Sequence, residues 1–373
     1  MPCIAHLDMD SFFVSVVRLR FPFLNDVPLV VGGKNVPLPL NNQAFSLWDY
    51  QGRGVIASAS YQARELSLKS AMPLMKAAQI ARLKNQNVAL LPVLMNDNRF
   101  YSTQFKNAVR EIAPKIEDVG IDEIYIDLSD FPDSFEAAKR IQQHVFQKTH
   151  LNCSIGLAPN KLMAKLASAH HKPCGLTVFN IPQDLENIIF PLSVNKINGI
   201  GKKMAKQLNA LNIFSIGDLA KMPPDFLKEH FGLRLGEWLH CSANGIDSRA
   251  LKLQKDLPQS IGAENTFVRD YHLPDDRALL TQNLNDLCQK ISFDLKRKKM
   301  LTQSVAVKII FSDFSSVVRS YSLSSPIVEK SDLLAAARQT LKYFHLKKPL
   351  RLLGVSARQL RLKESIQPEY FLI

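Results

Sequence analysis

Gly120-Ile121-Asp122-Glu123-Ile124-Tyr125-Ile126-Asp127 sets two adjacent carboxylates at the start of an apolar run. The pattern around it, from Ile116 to Leu128, predicts a β-hairpin whose turn lies near Gly120 to Glu123. Adjacent residues on a regular strand face opposite ways, so Asp122 and Glu123 share a site only where the chain bends, and Gly120 permits that bend. Upstream, Cys3 to Leu7 reads as a short buried strand ending in Asp8-Met9-Asp10, and Tyr101, Phe105, Val109 and Ile112 follow helical spacing. Downstream, Ser134 to His150 predicts a helix and Asn152 to Leu157 a strand.

With the segment between Asp10 and Val88 set aside as an insertion, the order is strand, helix, strand, strand, helix, strand, a ferredoxin-like arrangement. Within the insertion the pattern predicts a Gly32-Gly33 turn, a loop up to Asp49, a strand at Val55 to Ala59, and helices at Tyr61 to Leu66 and Leu74 to Lys84. The arrangement makes the first strand and the hairpin neighbours, bringing Asp8 close to Asp122 and Glu123. Burying such carboxylates without partners is costly, and divalent cations relieve the cost. Two hard cations about 4 Å apart would activate a hydroxyl nucleophile and stabilise a leaving pyrophosphate, which is nucleotidyl-transfer chemistry. The same spacing also fits surface carboxylates at a turn.

The C-terminal third repeats the element order: strands near Ile261 to Val268, Ser304 to Phe311, Val317 to Leu323 and Leu350 to Leu360, with one helix through Leu280 to Leu295 and another capped at Ser331. A second, independent ferredoxin-like module is expected there. Between the modules, Ile181 to Gly245 reads as short helices and Ile246 to Ser260 as a polar linker. Lys196-Ile197-Asn198-Gly199-Ile200-Gly201-Lys202 fits a helix-hairpin-helix turn, whose free N–H groups hold a phosphate without reading sequence. A second helical pair surrounds Phe231-Gly232-Leu233.

The chain has 373 residues, 47 Lys and Arg against 34 Asp and Glu, and a formal charge of +13. Gln259 to Leu362 holds 17 basic and 9 acidic residues, against 19 and 15 in Met1 to Asn180. Concentrated positive charge suits a polyanionic partner, although a solvated basic face also serves solubility. No apolar run approaches the ~20 residues that span a bilayer, and the start does not read as a signal peptide, so a cytoplasmic protein is expected. Five scattered cysteines without C-x-x-C argue against disulfides or structural zinc.

The motifs His6-Leu7-Asp8-Met9-Asp10-Ser11-Phe12-Phe13, Ala59-Ser60-Tyr61-Gln62-Ala63-Arg64, Ser70-Ala71-Met72-Pro73, Ile121-Asp122-Glu123, Asn160-Lys161, Lys172-Pro173 and Gly199-Ile200-Gly201 occur in this order over nearly the whole chain. Together they make it resemble the Y-family DNA polymerases, the translesion class, and most of all the bacterial DinB branch. The resemblance implies an α+β right-hand polymerase that adds dNTPs to a primer on template DNA with low fidelity, as a monomer without a membrane. Its parts would be a ferredoxin-like palm at 1–10 and 89–180, fingers at 11–88, a helical thumb at 181–245, a linker at 246–260, a ferredoxin-like little finger at 261–362 and a tail at 363–373. Asp8, Asp122 and Glu123, with Met9 through its backbone, would hold two Mg ions. Met9, Phe12, Phe13, Ser58, Tyr61, Arg64 and Lys172 would bind the nucleotide, with Phe13 as the steric gate against ribose. Gly199, Ile200, Gly201 and Lys202 would meet DNA.

Gly120, Ala169 and Asn198 depart from the family pattern, and none removes an implied metal ligand. The segment from Lys34 to Gly52 is longer than in compact bacterial relatives; it is read as a surface loop, the alternative being a cover over the nascent base pair that alters lesion preference. Gln367 to Ile373 resembles a sliding-clamp peptide. A catalytically silent DNA-binding accessory is the alternative, against which the intact carboxylates argue; a nucleotide cyclase would leave the hairpin and the basic module unexplained.

Overall fold

The structure, a computed structural model, describes residues 3–254 and 256–363. The expected clamp peptide, Gln367 to Ile373, lies outside them. Two compact units divide the chain, Met1–Lys255 and Asp256–Ile373.

The first unit opens with β1 (Ile4–Met9) and α1 (Phe12–Arg20), followed by β2 (Leu29–Gly32), β3 (Phe45–Ser46), β4 (Ile56–Ala59), α2 (Tyr61–Glu65), α3 (Leu74–Leu83) and β5 (Ala89–Leu91). The insertion is therefore not irregular: β3-β5-β2-β4 form a sheet of their own. Its strands are too short to show a period, and only β4 was legible. Ala89–Leu91, at the start of the expected palm segment, pairs with β2 and β3 in this sheet. The supposed loop up to Asp49 carries β3 and a 3₁₀ turn at Leu47–Asp49.

α4 (Met95–Ile112), β6 (Ile116–Asp118), β7 (Glu123–Asp127), α5 (Ser134–Thr149), β8 (Cys153–Ala158), α6 (Lys161–Ser168) and β9 (Leu176–Val178) follow. The main sheet runs β6-β7-β1-β8-β9. Its first strand is central, flanked antiparallel by the hairpin strand β7 and by β8, as the ferredoxin-like order requires. Alternation divides β1 between two cores: Ala5, Leu7 and Met9 pack against α4 and α5, while Ile4 joins α6 and the helices that follow. The close seat of α6 depends on Gly156 of β8, where a Cβ would lie 2.1 Å from Ser168 N and 2.3 Å from Ala164 O.

The following helices are α7 (Lys202–Ala210), α8 (Ile216–Ala220), α9 (Pro224–Phe231) and α10 (Leu233–Ala243). Ile197, Ile200, Leu208, Ile213, Ile216 and Leu239 hold them in the core shared with α6. Ser215 and Asp218 form a capping box at the start of α8.

The second unit holds β10 (Ser260–Tyr271), α11 (Arg277–Arg297), β11 (Met300–Phe311), β12 (Ser316–Ile327), α12 (Lys330–Leu341) and β13 (Leu350–Leu362). The element order is the expected one, but the strand order is β10-β13-β11-β12. Here the last strand is central and the first lies at the edge, the reverse of the main sheet. In both, the four strands of the ferredoxin-like order pair antiparallel with both helices on one face, so the hydrophobic pattern does not separate them. α12 starts before Ser331, with Glu329 at the cap position and no side-chain cap.

Gly156→Ala forces helix backbone away from strand backbone, and a loss of ~3 kcal/mol in the first unit's stability is expected by denaturant unfolding.

Candidate active site

Asp8 lies opposite Glu123 on one side and Ser154 on the other, because β1 is central. The Met9 N–H donates to the Asp122 carbonyl at 3.0 Å, fastening the hairpin turn to the end of β1. The structure thus brings Asp8, Asp122 and Glu123 together, with Asp122 in the bend the sequence required. A Cβ at Gly120 would stand 2.8 Å from Glu123 Cγ, so the glycine leaves room for that side chain. The Gly120 carbonyl is held by the ammonium of Lys106, which also pairs with Asp118 at 2.8 Å.

Two lysines meet the carboxylates. Lys172 Nζ is 2.6 Å from Asp8 Oδ1 and 3.7 Å from Asp10 Oδ1, and Lys165 Nζ is 2.5 Å from Glu123 Oε2. The carboxyl of Glu123 is held down to about 2 by His6 and by Lys165. Of the two, Lys165 makes the direct contact; His6 Nε2 stands 3.4 Å from Glu123 Oε2 and closes no hydrogen bond. His6 is wholly buried, with Nδ1 2.7 Å from the Ser168 hydroxyl, and burial lowers its pKa. Asp122 behaves oppositely: burial and then the charge of Asp8 raise its carboxyl above the ordinary value.

Asp10 is only 3% exposed and is saturated. It accepts from the Ser154 hydroxyl at 2.9 and 3.1 Å, from the Cys174 N–H at 2.8 Å and from the Tyr61 hydroxyl at 3.3 Å. Tyr61, Arg64 and Lys172 therefore converge on one side of the carboxylates. Arg64 donates to the Ala59 carbonyl at 3.0 Å and the Ser11 hydroxyl at 2.9 Å, with its guanidinium 4.7 Å over the Tyr61 ring. Burial, then the Asp10 charge, push the Tyr61 phenol up, keeping it a neutral donor. Ser58 is buried on β4 opposite Val31.

Ser11 takes a left-handed conformation, φ 46°, and turns the chain from β1 into α1. Phe12 is buried edge-on to Phe105, and Phe13 is half-buried with its ring 5.9 Å from that of Phe12. Asn160 and Lys161 stay outside the site. Asn160 caps α6 and donates to the Gly245 carbonyl at 2.7 Å, and Lys161 pairs with buried Glu117 at 2.6 Å.

In the hairpin, Gly199 has φ 112° and lies under Trp238, whose ring a Cβ would meet at 2.8 Å. Ile200 is buried, while Gly201 caps α7 facing open space and Lys202 is exposed. Gly232, φ 83°, links α9 to α10 with equal openness.

Sequence reasoning missed Lys165, His6, Asp10, Ser11 and Ser154 as members of the site. Lys161, Lys165 and Ser168 share one helical face, which was a readable signal for Lys165.

The donor set suits hard cations: three carboxylates crowd together, and Asp122 is raised by burial and then by the charge of Asp8, a penalty that a divalent ion relieves. Among the described residues no three such groups already close to coordination distance; Lys172 and Lys165 hold Asp8 and Glu123 in ion pairs instead.

Residues 7–169 match the impB/mucB/samB family, residues 258–369 its C-terminal domain, and residues 195–247 the DNA polymerase-iota thumb domain. The chain is 34% identical to DNA polymerase IV of Leptospira interrogans over 95% of its own length and 94% of that protein. It is 32% identical to DNA polymerase IV 1 of Bacillus subtilis, covering 97% and 83%. A Y-family polymerase chimaera of Dbh and Dpo4 shares the fold with a TM-score of 0.77 at 24% identity, covering 96% of this chain and 99% of that one.

Asp122 ionises at a cost to the folded state, so its contribution to stability is fullest below the unfolded pKa and is lost as pH rises through the raised folded value. Asp122→Asn is expected to raise the Tm in EDTA at pH 7 by roughly 2 °C or more, the margin closing toward about pH 4. Thermal melts across pH, with and without Mg, check this; Mg is expected to narrow the margin by favouring the wild type.

Proposed function

The chain belongs to the impB/mucB/samB family, the Y-family DNA polymerases, and from that premise we propose how its residues carry the reaction. It is a translesion DNA polymerase, a DNA-directed nucleotidyltransferase. The observation that carries the site assignment is the meeting of Asp8, Asp122 and Glu123 at the end of the central strand beside Lys172. Asp8, Asp122 and the Met9 carbonyl, with Glu123, would hold two Mg ions that activate the primer 3′-hydroxyl and stabilise the leaving pyrophosphate.

The protein's own groups do the remaining work. Tyr61, Arg64 and Lys172 grip the triphosphate: the guanidinium presents a planar fork, the ammonium a point charge, and the phenol a neutral donor. Backbone at Met9, Phe12 and Phe13 lies beside the nucleotide, and Ser58 contributes from β4. Phe13 is wedged between Phe12 and the cores under α1, which suits a rigid plate that collides with a ribose 2′-hydroxyl.

DNA contact is assigned to the hairpins at Gly199-Ile200-Gly201-Lys202 and Gly232, and to the second unit. There Glu264, Asp276, Asp294, Asp313 and Glu329 are each closed by a Lys or Arg. Lys290, Arg319, Lys342, Arg358 and Arg361 have no carboxylate partner among the described residues, leaving positive charge for phosphates. Gly262 and Ser356 lie side by side across its sheet, small residues that let a nucleic-acid backbone come close. Gln367 to Ile373 is assigned to a sliding clamp. No helix among the described residues is long and apolar enough to cross a membrane, and a cytoplasmic site of action fits repair on DNA.

Extension of a labelled primer tests the carboxylates. Asp122→Ala with Glu123→Ala is expected to lower the rate at least roughly a hundredfold while leaving DNA binding intact. Equal rates in variant and wild type would refute the assignment. Phe13→Ala is expected to admit ribonucleotides in the same assay, and unchanged exclusion would remove Phe13 from the gate. Deleting Gln367 to Ile373 is expected to abolish stimulation by clamp and spare basal synthesis.

A further inference from the structure

Lys172 has two claims on it. Its ammonium covers Asp8 Oδ1 at 2.6 Å, and the proposed reading also gives it the triphosphate. Resting on that reading, we propose that Lys172 is an exchangeable counter-ion: it covers Asp8 in the free enzyme, and the incoming triphosphate draws it away and opens Asp8 to the cation. Nucleotide and metal then bind cooperatively because one lysine cannot serve both carboxylate and phosphate.

The surroundings favour exchange at Asp8 and not at Asp10. Asp10 is filled by the Ser154 hydroxyl, the Cys174 N–H and the Tyr61 hydroxyl, and Lys172 stands 3.7 Å from it, so Asp10 loses little when the ammonium moves. Asp8 has Lys172 as its ion-pair partner, and a cation on the same oxygens would face the ammonium as a like charge. The side chains of Lys172 and Asp8 are 22% and 28% exposed, so water reaches the pair and its opening is not a core rearrangement. A lysine suits this role, being a flexible stem with a compact, strongly hydrated charge. By linkage, whatever factor the nucleotide adds to metal affinity at Asp8, the metal adds to nucleotide affinity.

The test is a double-mutant cycle without metal. Binding of dATP is measured in EDTA on a 3′-dideoxy primer–template for wild type, Asp8→Asn, Lys172→Gln and the double variant, each checked for folding by circular dichroism. Releasing Lys172 from Asp8 is expected to tighten dATP binding about tenfold in Asp8→Asn, and not at all when Lys172 is already Gln. No tightening, or equal tightening in both backgrounds, overturns the exchange, the latter showing that Asp8 acts only through its field. If Lys172→Gln alone binds dATP as tightly as wild type, the triphosphate role itself falls and the exchange with it.

Mn alone, followed by electron paramagnetic resonance, gives the reciprocal reading. Lys172→Gln is expected to bind Mn about tenfold more tightly than wild type, while Arg64→Gln, which removes a charge engaged with Ser11 and Ala59, changes it less than about twofold. Equal gains in the two variants overturn the proposal.

Discussion

Like charges gathered out of water are the constraint on which the first unit is built. Asp8 and Asp10 lie at and just past the end of β1 and Asp122 and Glu123 at the facing start of β7, so four like charges crowd one place. The protein answers the four differently. Asp10 is satisfied by neutral donors, Glu123 is held down by His6 and Lys165, Asp8 is covered by Lys172, and Asp122 is left raised. The charge left unrelieved is that of Asp122, buried beside Asp8. Ionising Asp122 therefore costs the folded state stability.

The scaffold makes this arrangement possible through a single close approach. Lys165 and Ser168 reach Glu123 and His6 because α6 lies against β8, and α6 lies there because Gly156 has no side chain. Asn160 starts the helix and ties it to Gly245, and Lys161 anchors its first turn on Glu117. Residues that look like chemistry in the sequence thus act on the site's geometry. The contacts to the carboxylate cluster come from further along the helix, Lys165 on Glu123 and Ser168 on His6.

Long periodic elements and the hairpin were legible in the sequence, because a buried face imposes a period that any adequate length reveals: α4, α5, α11 and β8 lie where the pattern put them. The trio Asp8, Asp122 and Glu123 was legible for the same reason, since the element order dictates which strands are neighbours. The small sheet β3-β5-β2-β4 was not, its strands being two to four residues long. Nor did the sequence tell Asp10 from Asp8. Two carboxylates one residue apart in a D-x-D look alike, and only the donors around each tell them apart: Asp10 is buried among neutral donors, whereas Asp8 is paired with Lys172.

The two modules share one element order and differ in which strand is central, and that difference decides where chemistry can gather. A central strand has neighbours on both sides, so a residue at its end meets side chains from two others; Asp8 meets Glu123 from β7 and Ser154 from β8. In the second unit the first strand, β10, lies at the edge and has β13 alone as its neighbour. Its end has no second strand to converge with. The open surface of that sheet instead sets Gly262 beside Ser356, with Lys308 paired to Glu264 alongside. A sheet of this kind presents area and charge and not a convergent cluster. Phosphate contact without sequence reading needs only that, whereas phosphoryl transfer needs groups fixed from several directions at once. The two orders thus differ in whether the end of the first strand meets two neighbours or one.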